Sequence, residues 1–244
     1  MQGLQNKVAI ITGGGRGIGR ETAILLAHEG AKVVMAARSS NEINSVAHEI
    51  NESGGKALAI RTDLTVEDDI KRLIRESEAS FGPVDILINN AAVLKLSPII
   101  QTSTEVWDEL MSVNLRAIFL ACREVLPGMM ERRSGRIINV GSMAGRRGYP
   151  EQGAYCASKH GLIGLSKVLA IETQKYGIRV HVLAPGGVLT GLSKSLRQSR
   201  GGVSDSEWMT TEEVARAVLY LCMQTGAAIT DELVLRRFES EPWR

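Results

Sequence analysis

The stretch "KVAIITGGGRGIGRETA" (residues 7–23) runs from a β-branched apolar segment through a glycine cluster into a segment of helical periodicity. Glycines at the mouth of a helix are costly flexibility unless the backbone must turn tightly there or approach something closely. Strand, glycine turn and helix N-terminus in that order gather backbone N–H groups and the positive end of the helix around one point, a cradle for a pyrophosphate. The P-loop pattern fails, because Arg20 and Glu21 follow Gly19 where Lys and Ser/Thr are needed, and this disfavours an NTPase. Strict GxGxxG spacing fails too. What is present is TGxxxGxG, carried by Thr12, Gly13, Gly17 and Gly19, with Gly15, Arg16 and Ile18 inside it.

Outward from this turn, short apolar runs alternate with longer amphipathic ones. The runs at 7–12, 31–37, 56–62, 85–90, 135–142, 178–185 and 231–237 are mostly apolar through their middles, as parallel strands buried on both faces must be. Apolar residues three and four apart predict helices over 18–28, 66–81, 106–126, 155–175 and 211–223. The alternation predicts an α/β fold, a doubly wound parallel sheet of seven strands with helices on both faces. No linker or composition break divides residues 1–244, so one domain is expected. The Gly-, Ser- and charge-rich stretch 186–209 has no core pattern and predicts a mobile loop or lid over a substrate.

Composition removes several function classes. The 29 basic and 27 acidic residues are interspersed, giving a net charge of +2, and aromatics are only 4% of the chain. No field is aimed at a polyanion and few rings are available for base stacking, so a nucleic-acid partner is not expected. Cys122, Cys156 and Cys222 form no CxxC or Cys/His cluster, which implies neither a disulfide framework nor a metal site and fits the reducing cytoplasm. The N-terminal apolar run of about five residues is too short for a signal peptide or a membrane span, so a soluble, unprocessed protein is expected.

In dinucleotide-binding folds the second strand ends in an acid that grips the ribose 2′-hydroxyl of NAD. Here that strand ends Ala36-Ala37-Arg38, followed by Ser39. With no acid at Ala37, Arg38, and Arg16 within the glycine turn, are placed to pair with a 2′-phosphate, which favours NADP(H) over NAD(H). The plain alternative for each arginine is a solvated surface charge.

"YCASK" sets Tyr155 and Lys159 one helical turn apart on one face. A free phenol titrates too high for acid–base work at neutral pH, and a neighbouring ammonium favours the phenolate, so the pair predicts a tyrosine with a lowered pKa. Ser142 stands at the C-terminal end of the 135–142 strand, the edge where open α/β sheets place ligands.

With TGxxxGxG, "NNAA" (89–92), Asn114, Ser142, Tyr155-xxx-Lys159 and "PGGVLT" (185–190) in this order, the chain from about Lys7 to Leu221 resembles the compact branch of the short-chain dehydrogenase/reductase family. The resemblance implies a Rossmann-like fold and hydride transfer between a nicotinamide and a carbonyl or secondary alcohol. It implies Tyr155 as the proton donor or acceptor, Lys159 as the holder of the nicotinamide ribose, and Ser142 as the group that orients the substrate oxygen. Asn114 would anchor a water that relays protons to Lys159. Asp63 with Leu64 would meet the adenine, Asn89 and Ala91 would flank the adenine ribose, and Pro185, Gly186, Val188 and Thr190 would bracket the carboxamide. Dimers or tetramers are implied as well, and the small and apolar residues of 161–173 offer a helix face for a two-fold contact.

Each of these residues also has an ordinary structural reading: Asp63 as a cap near Thr65, Asn89 and Asn90 as pins between strands, Ser142 as the partner of a strand end. Arg146, Arg147, Lys194, Arg197 and Arg200 surround the expected substrate region. They would suit an anionic carrier such as an acyl thioester on an acyl carrier protein, or stand as solvated loop charges. A 3-oxoacyl reductase and a broader carbonyl reductase therefore both remain. So do an NAD-dependent dehydrogenase of a secondary alcohol, sugar or hydroxy acid, and a non-catalytic cofactor-sensing regulator, which the intact tyrosine and lysine speak against.

Overall fold

The computed structural model describes residues 3–199 and 204–241. Its centre is β1 (Val8–Thr12), buried at every position. Side chains alternate across a strand, and those of β1 divide accordingly: Ala9 and Ile11 enter one core layer, Ile10 the other. The same division continues in β2 (Lys32–Ala37), where Val33 and Met35 face one layer and Val34 and Ala36 the other. It recurs in β4 (Ile86–Asn89), with Ile86 and Ile88 opposite Leu87. Strands that are apolar throughout thus supply two cores, and both must be covered by helices.

The sheet runs β3-β2-β1-β4-β5-β6-β7 and is parallel at every pairing, with β3 Lys56–Arg61, β5 Gly135–Val140, β6 Ile178–Pro185 and β7 Glu232–Leu235. One face carries α1 (Gly17–His28), α2 (Ser40–Glu52) and α8 (Thr211–Met223); α3 (Glu67–Phe81), α5 (Ala117–Glu131) and α6 (Gly153–Thr173) cover the other. The doubly wound fold expected from the sequence is the fold observed. Strand order reverses between β1 and β4, and the crevice beyond their C-terminal ends is where such sheets bind ligands.

Two expectations are corrected and one helix is added to those named from the sequence, helix α2. Ser40, Asn41, Asn44 and Ser45 are weak helix formers, yet Ile43, Val46, Ala47 and Ile50 form a buried stripe, and the Ser39 hydroxyl caps the helix by accepting from the Glu42 N–H at 3.4 Å. The helix expected over 106–126 is α4 (Thr104–Met111), a π turn (Ser112–Arg116) and then α5. The stretch expected to be a mobile lid is in part ordered. It carries α7 (Lys194–Ser199) and buries Trp208 and Met209, while Leu189 N–H donates to the Met209 carbonyl at 2.8 Å. Arg200 lies outside the described residues.

The far edge of the sheet is held by arginines. Arg136 and Arg179, cross-strand partners in β5 and β6, donate to the carbonyls of Leu221 and Gln224, and of Ala228 and Gly226, respectively. Beside them His181 is fully buried, its Nδ1 2.7 Å from the Thr230 carbonyl, its Nε2 without a partner among the described residues. Burial, with the nearby arginines, lowers its pKa below the usual imidazole value. The unfolded chain therefore takes up this proton at a higher pH than the folded one, and stability drops as pH falls below about 6.5. We expect urea unfolding free energy to decline between pH 7 and pH 5, with the decline reduced in His181→Asn; an equal slope in both proteins would remove His181 as its cause.

Candidate active site

The glycine turn closes because two of its residues carry no side chain. Gly13 has φ +68°, and its N–H donates to the Ala36 carbonyl at 2.7 Å. A Cβ on Gly13 would lie 3.0 Å from the Ala91 Cα, and one on Gly19 would lie 2.2 Å from the Gly13 carbonyl oxygen. The start of α1 therefore packs directly on the end of β1. Thr12 and Asn90 lock the turn from behind: the Thr12 hydroxyl accepts from the N–H groups of Asn90 and Ala91 at 3.0 and 3.1 Å, and the Asn90 amide donates to the Thr12 carbonyl at 2.9 Å. At the N-cap, Arg16 provides no side-chain acceptor, which leaves the first N–H groups of α1 for the oxygens of a ligand.

A cavity of about 1030 Å³ extends from this turn across the C-terminal ends of the strands. Gly13, Gly15, Arg16, Gly17, Ile18, Arg38, Ser39, Asp63, Leu64 and Ala91 line one end, and Ser142, Tyr155, Lys159, Pro185, Gly186, Val188 and Thr190 line the other. The structure thus brings most of the sequence-selected residues to a single surface. Thr190 also closes over the turn, its Cγ2 3.6 Å from where a Gly17 Cβ would stand. Length, continuity and the glycine cradle fit a dinucleotide.

Four selected residues do not line the cavity. Thr12 and Gly19 act from behind the turn, as described. Asn89, selected for a ribose, is corrected: it is 1% exposed, and its amide donates to the Asn139 Oδ1 at 2.8 Å. Asn139 in turn donates to the Ser166 hydroxyl on α6 at 2.9 Å, so Asn89 pins strands to a helix. Asn114, fully buried in the π turn, accepts from the Val93 N–H and donates to the Val93 carbonyl, both at 2.9 Å, and reaches the Ser158 hydroxyl at 3.2 Å. Asp63 does line the cavity while also closing a turn, one carboxylate oxygen accepting from the Thr65 N–H and hydroxyl. Those two donors, with Arg38 nearby, hold its pKa below the usual range.

Tyr155 and Lys159 are 7% and 1% exposed, and the ammonium lies 5.9 Å from the phenol ring centroid. Burial pushes Tyr155 up to about 12, offset in part by a hydrogen bond from Ser142, and pushes Lys159 down to about 8. The direction for Tyr155 is opposite to the one its spacing from Lys159 predicts. Desolvation dominates at Tyr155, while the Lys159 ammonium is directed to the Val140 carbonyl, to which it donates at 2.8 Å. A phenol in this setting holds its proton at neutral pH, the state required of an acid.

Some partners were passed over in the sequence. Ser158, inside "YCASK", looked like a small spacer, yet its hydroxyl donates to the Tyr155 carbonyl at 2.8 Å and accepts from Asn114, tying α6 to the π turn. Trp208 lines the cavity with its ring against Gly187, and the Arg237 guanidinium lies 5.3 Å from its indole centroid. Only folding assembles them, so no spacing signals them. Of the described cations selected for a carrier, Lys194 lines the cavity; Arg146 pairs with Glu232 at 3.0 Å, and Arg147 donates to the Tyr149 hydroxyl at 2.7 Å. Among the described residues no helix is long and apolar enough to cross a membrane.

A doubly wound sheet with a glycine cradle at its switch point and, in the same cavity, a serine beside a buried tyrosine–lysine pair defines a nicotinamide-dependent oxidoreductase. The profile of the short chain dehydrogenase family matches residues 7–201, and the chain belongs to the short-chain dehydrogenase/reductase family. It is 38% identical over 235 residues to a 3-oxoacyl-[acyl-carrier-protein] reductase FabG of Staphylococcus epidermidis, covering 94% of this chain and 96% of the relative. A metagenomic short-chain oxidoreductase solved in complex with NADP superposes with a TM-score of 0.84 at 32% identity, over 97% of this chain and 99% of that one. An actinorhodin polyketide ketoreductase variant solved with NADPH gives 0.87 at 32%, over 94% and 95%.

The cradle has a direct test. A methyl at Gly19 must displace backbone, an overpacking that costs about 1–3 kcal/mol of folding stability and moves the N–H groups that would meet a ligand. We expect Gly19→Ala to lose dinucleotide affinity by fluorescence titration at least about tenfold; affinity retained within twofold would show that the turn is not the binding element.

Proposed function

We propose that the protein is an NADPH-dependent reductase that converts a carbonyl to a secondary alcohol, with a 3-oxoacyl thioester as the favoured substrate. The observation that carries this reading is the placement of Ser142, Tyr155 and Lys159 in the same cavity as the glycine turn and Arg38. The 3-oxoacyl-[acyl-carrier-protein] reductase among its relatives supports the substrate class. NADPH over NADH is supported by Ala37, which offers no carboxylate to a 2′-hydroxyl, and by Arg38 beside it.

Ser142 donates to the substrate carbonyl and fixes it beside Tyr155. Tyr155, kept protonated by burial, gives its proton to the oxygen as negative charge develops there. Lys159 would hold the nicotinamide ribose hydroxyls, and its ammonium, 5.9 Å from the Tyr155 ring centroid, stabilises the phenolate that remains. A bound NADPH would supply the hydride. Asn114 acts indirectly, through Val93 and Ser158, by setting the wall on which the site is built. In the reverse direction the same residues act with Tyr155 as base.

The groove lined by Met111, Leu115, Phe119, Gly161 and Leu165, with exposed Val168 and Ile171 on α6, supports self-association through this side of the molecule. Three unpaired cysteines support a reducing compartment, the cytosol.

The reading is tested with acetoacetyl thioester and simple ketones under NADPH. Tyr155→Phe removes a general acid worth about 10²–10⁴-fold and should lower turnover by that much while NADPH binding is retained; unimpaired turnover would exclude Tyr155 as the acid. Arg38→Asp should move the NADPH-to-NADH affinity ratio at least about tenfold toward NADH, the scale of a lost charged hydrogen bond. An unchanged ratio would exclude a 2′-phosphate contact.

A further inference from the structure

Charges of both signs meet at the cavity end where β2 runs out. The guanidinium Nη1 of Arg16 lies 3.5 Å from the Glu42 Oε1, and both residues line the cavity. Glu42 is the third residue of α2, with its N–H held by the Ser39 hydroxyl. Its Cβ is 2.8 Å from where a Cβ on Gly15 would stand, so the base of its side chain is packed against the glycine turn. That sets its carboxylate, itself partly exposed, on Arg16, one of the two arginines that would receive a 2′-phosphate.

We propose that Glu42 is a specificity-determining residue that competes with a 2′-phosphate for Arg16 and so restrains the preference for NADPH. A 2′-phosphate gains Arg16 only by displacing this carboxylate, whereas a 2′-hydroxyl leaves the Arg16–Glu42 pair intact. Selectivity can be set by a repulsive element as well as by an attractive one, and here the attractive element is Arg38, which has no carboxylate at Ala37 to oppose it. The inference rests on the reading of this cavity end given above.

Glu42→Gln keeps the shape of the side chain, the Ser39 cap and the contact with Gly15 while removing the charge. An exposed pair of this kind adds little to folding stability, so the variant tests binding and not folding. Titration of the full chain with NADPH and NADH should show NADPH bound about fivefold more tightly than by the unaltered protein, with NADH changed less than twofold. In an Arg16→Gln background the same substitution should leave NADPH affinity unchanged. An unaltered NADPH-to-NADH ratio in Glu42→Gln, or a gain that persists without Arg16, would overturn the competition while leaving the cavity's assignment intact. An unaltered protein that binds neither dinucleotide would overturn that assignment and this inference with it.

Discussion

The site depends on a backbone contact. The start of α1 approaches the end of β1 closely enough that a single methyl at Gly19 would lie within 2.2 Å of the Gly13 carbonyl oxygen. That approach brings the first turn of α1 to the edge of the sheet at the point where strand order reverses. Thr12 and Asn90 then tie this edge to the next strand. Thr12 and Gly19 stand behind the cavity surface and Asn90 lines it, and together they hold the turn that shapes it.

A second constraint is desolvation. The cavity wall buries a phenol and an ammonium side by side, and each is driven toward its neutral form. A buried charge needs partners, and the carbonyl of Val140 supplies one for Lys159. The position of β5 thus fixes where the ammonium sits. Asn114 reaches its place because the helix breaks into a π turn there, a distortion that recurs at functional sites. Ser158 joins that turn to the backbone of Tyr155, so the position of the buried tyrosine depends on a hydroxyl outside the cavity lining.

Fold and site were legible in the sequence to different depths. The central apolar runs marked their strands because a strand buried on both faces needs apolar residues at every position, a pattern that survives in one dimension; β3 and β7, at the two edges of the sheet, are less buried. The glycine turn and "YCASK" were legible because their chemistry lies within a few residues of chain. Helix α2 was harder to see, since its buried stripe is set among weak helix formers. Asn89 and Asn90 were indistinguishable as neighbours, yet one faces Asn139 in the interior and the other grips the glycine turn.

The sequence by itself determined the alternation of strands and helices, the place of the cradle and the identity of the tyrosine–lysine pair, because each is a local pattern of residue type and spacing. Tertiary structure alone decided the environments. It turned Asn89 inward, set Glu42 against Arg16 across the start of α2, brought Trp208 to the cavity with Arg237 stacked on it, and raised the pKa of Tyr155 by burial. These outcomes depend on which distant segments exclude water from a side chain. That is a property of packing in three dimensions, and no spacing along the chain encodes it directly.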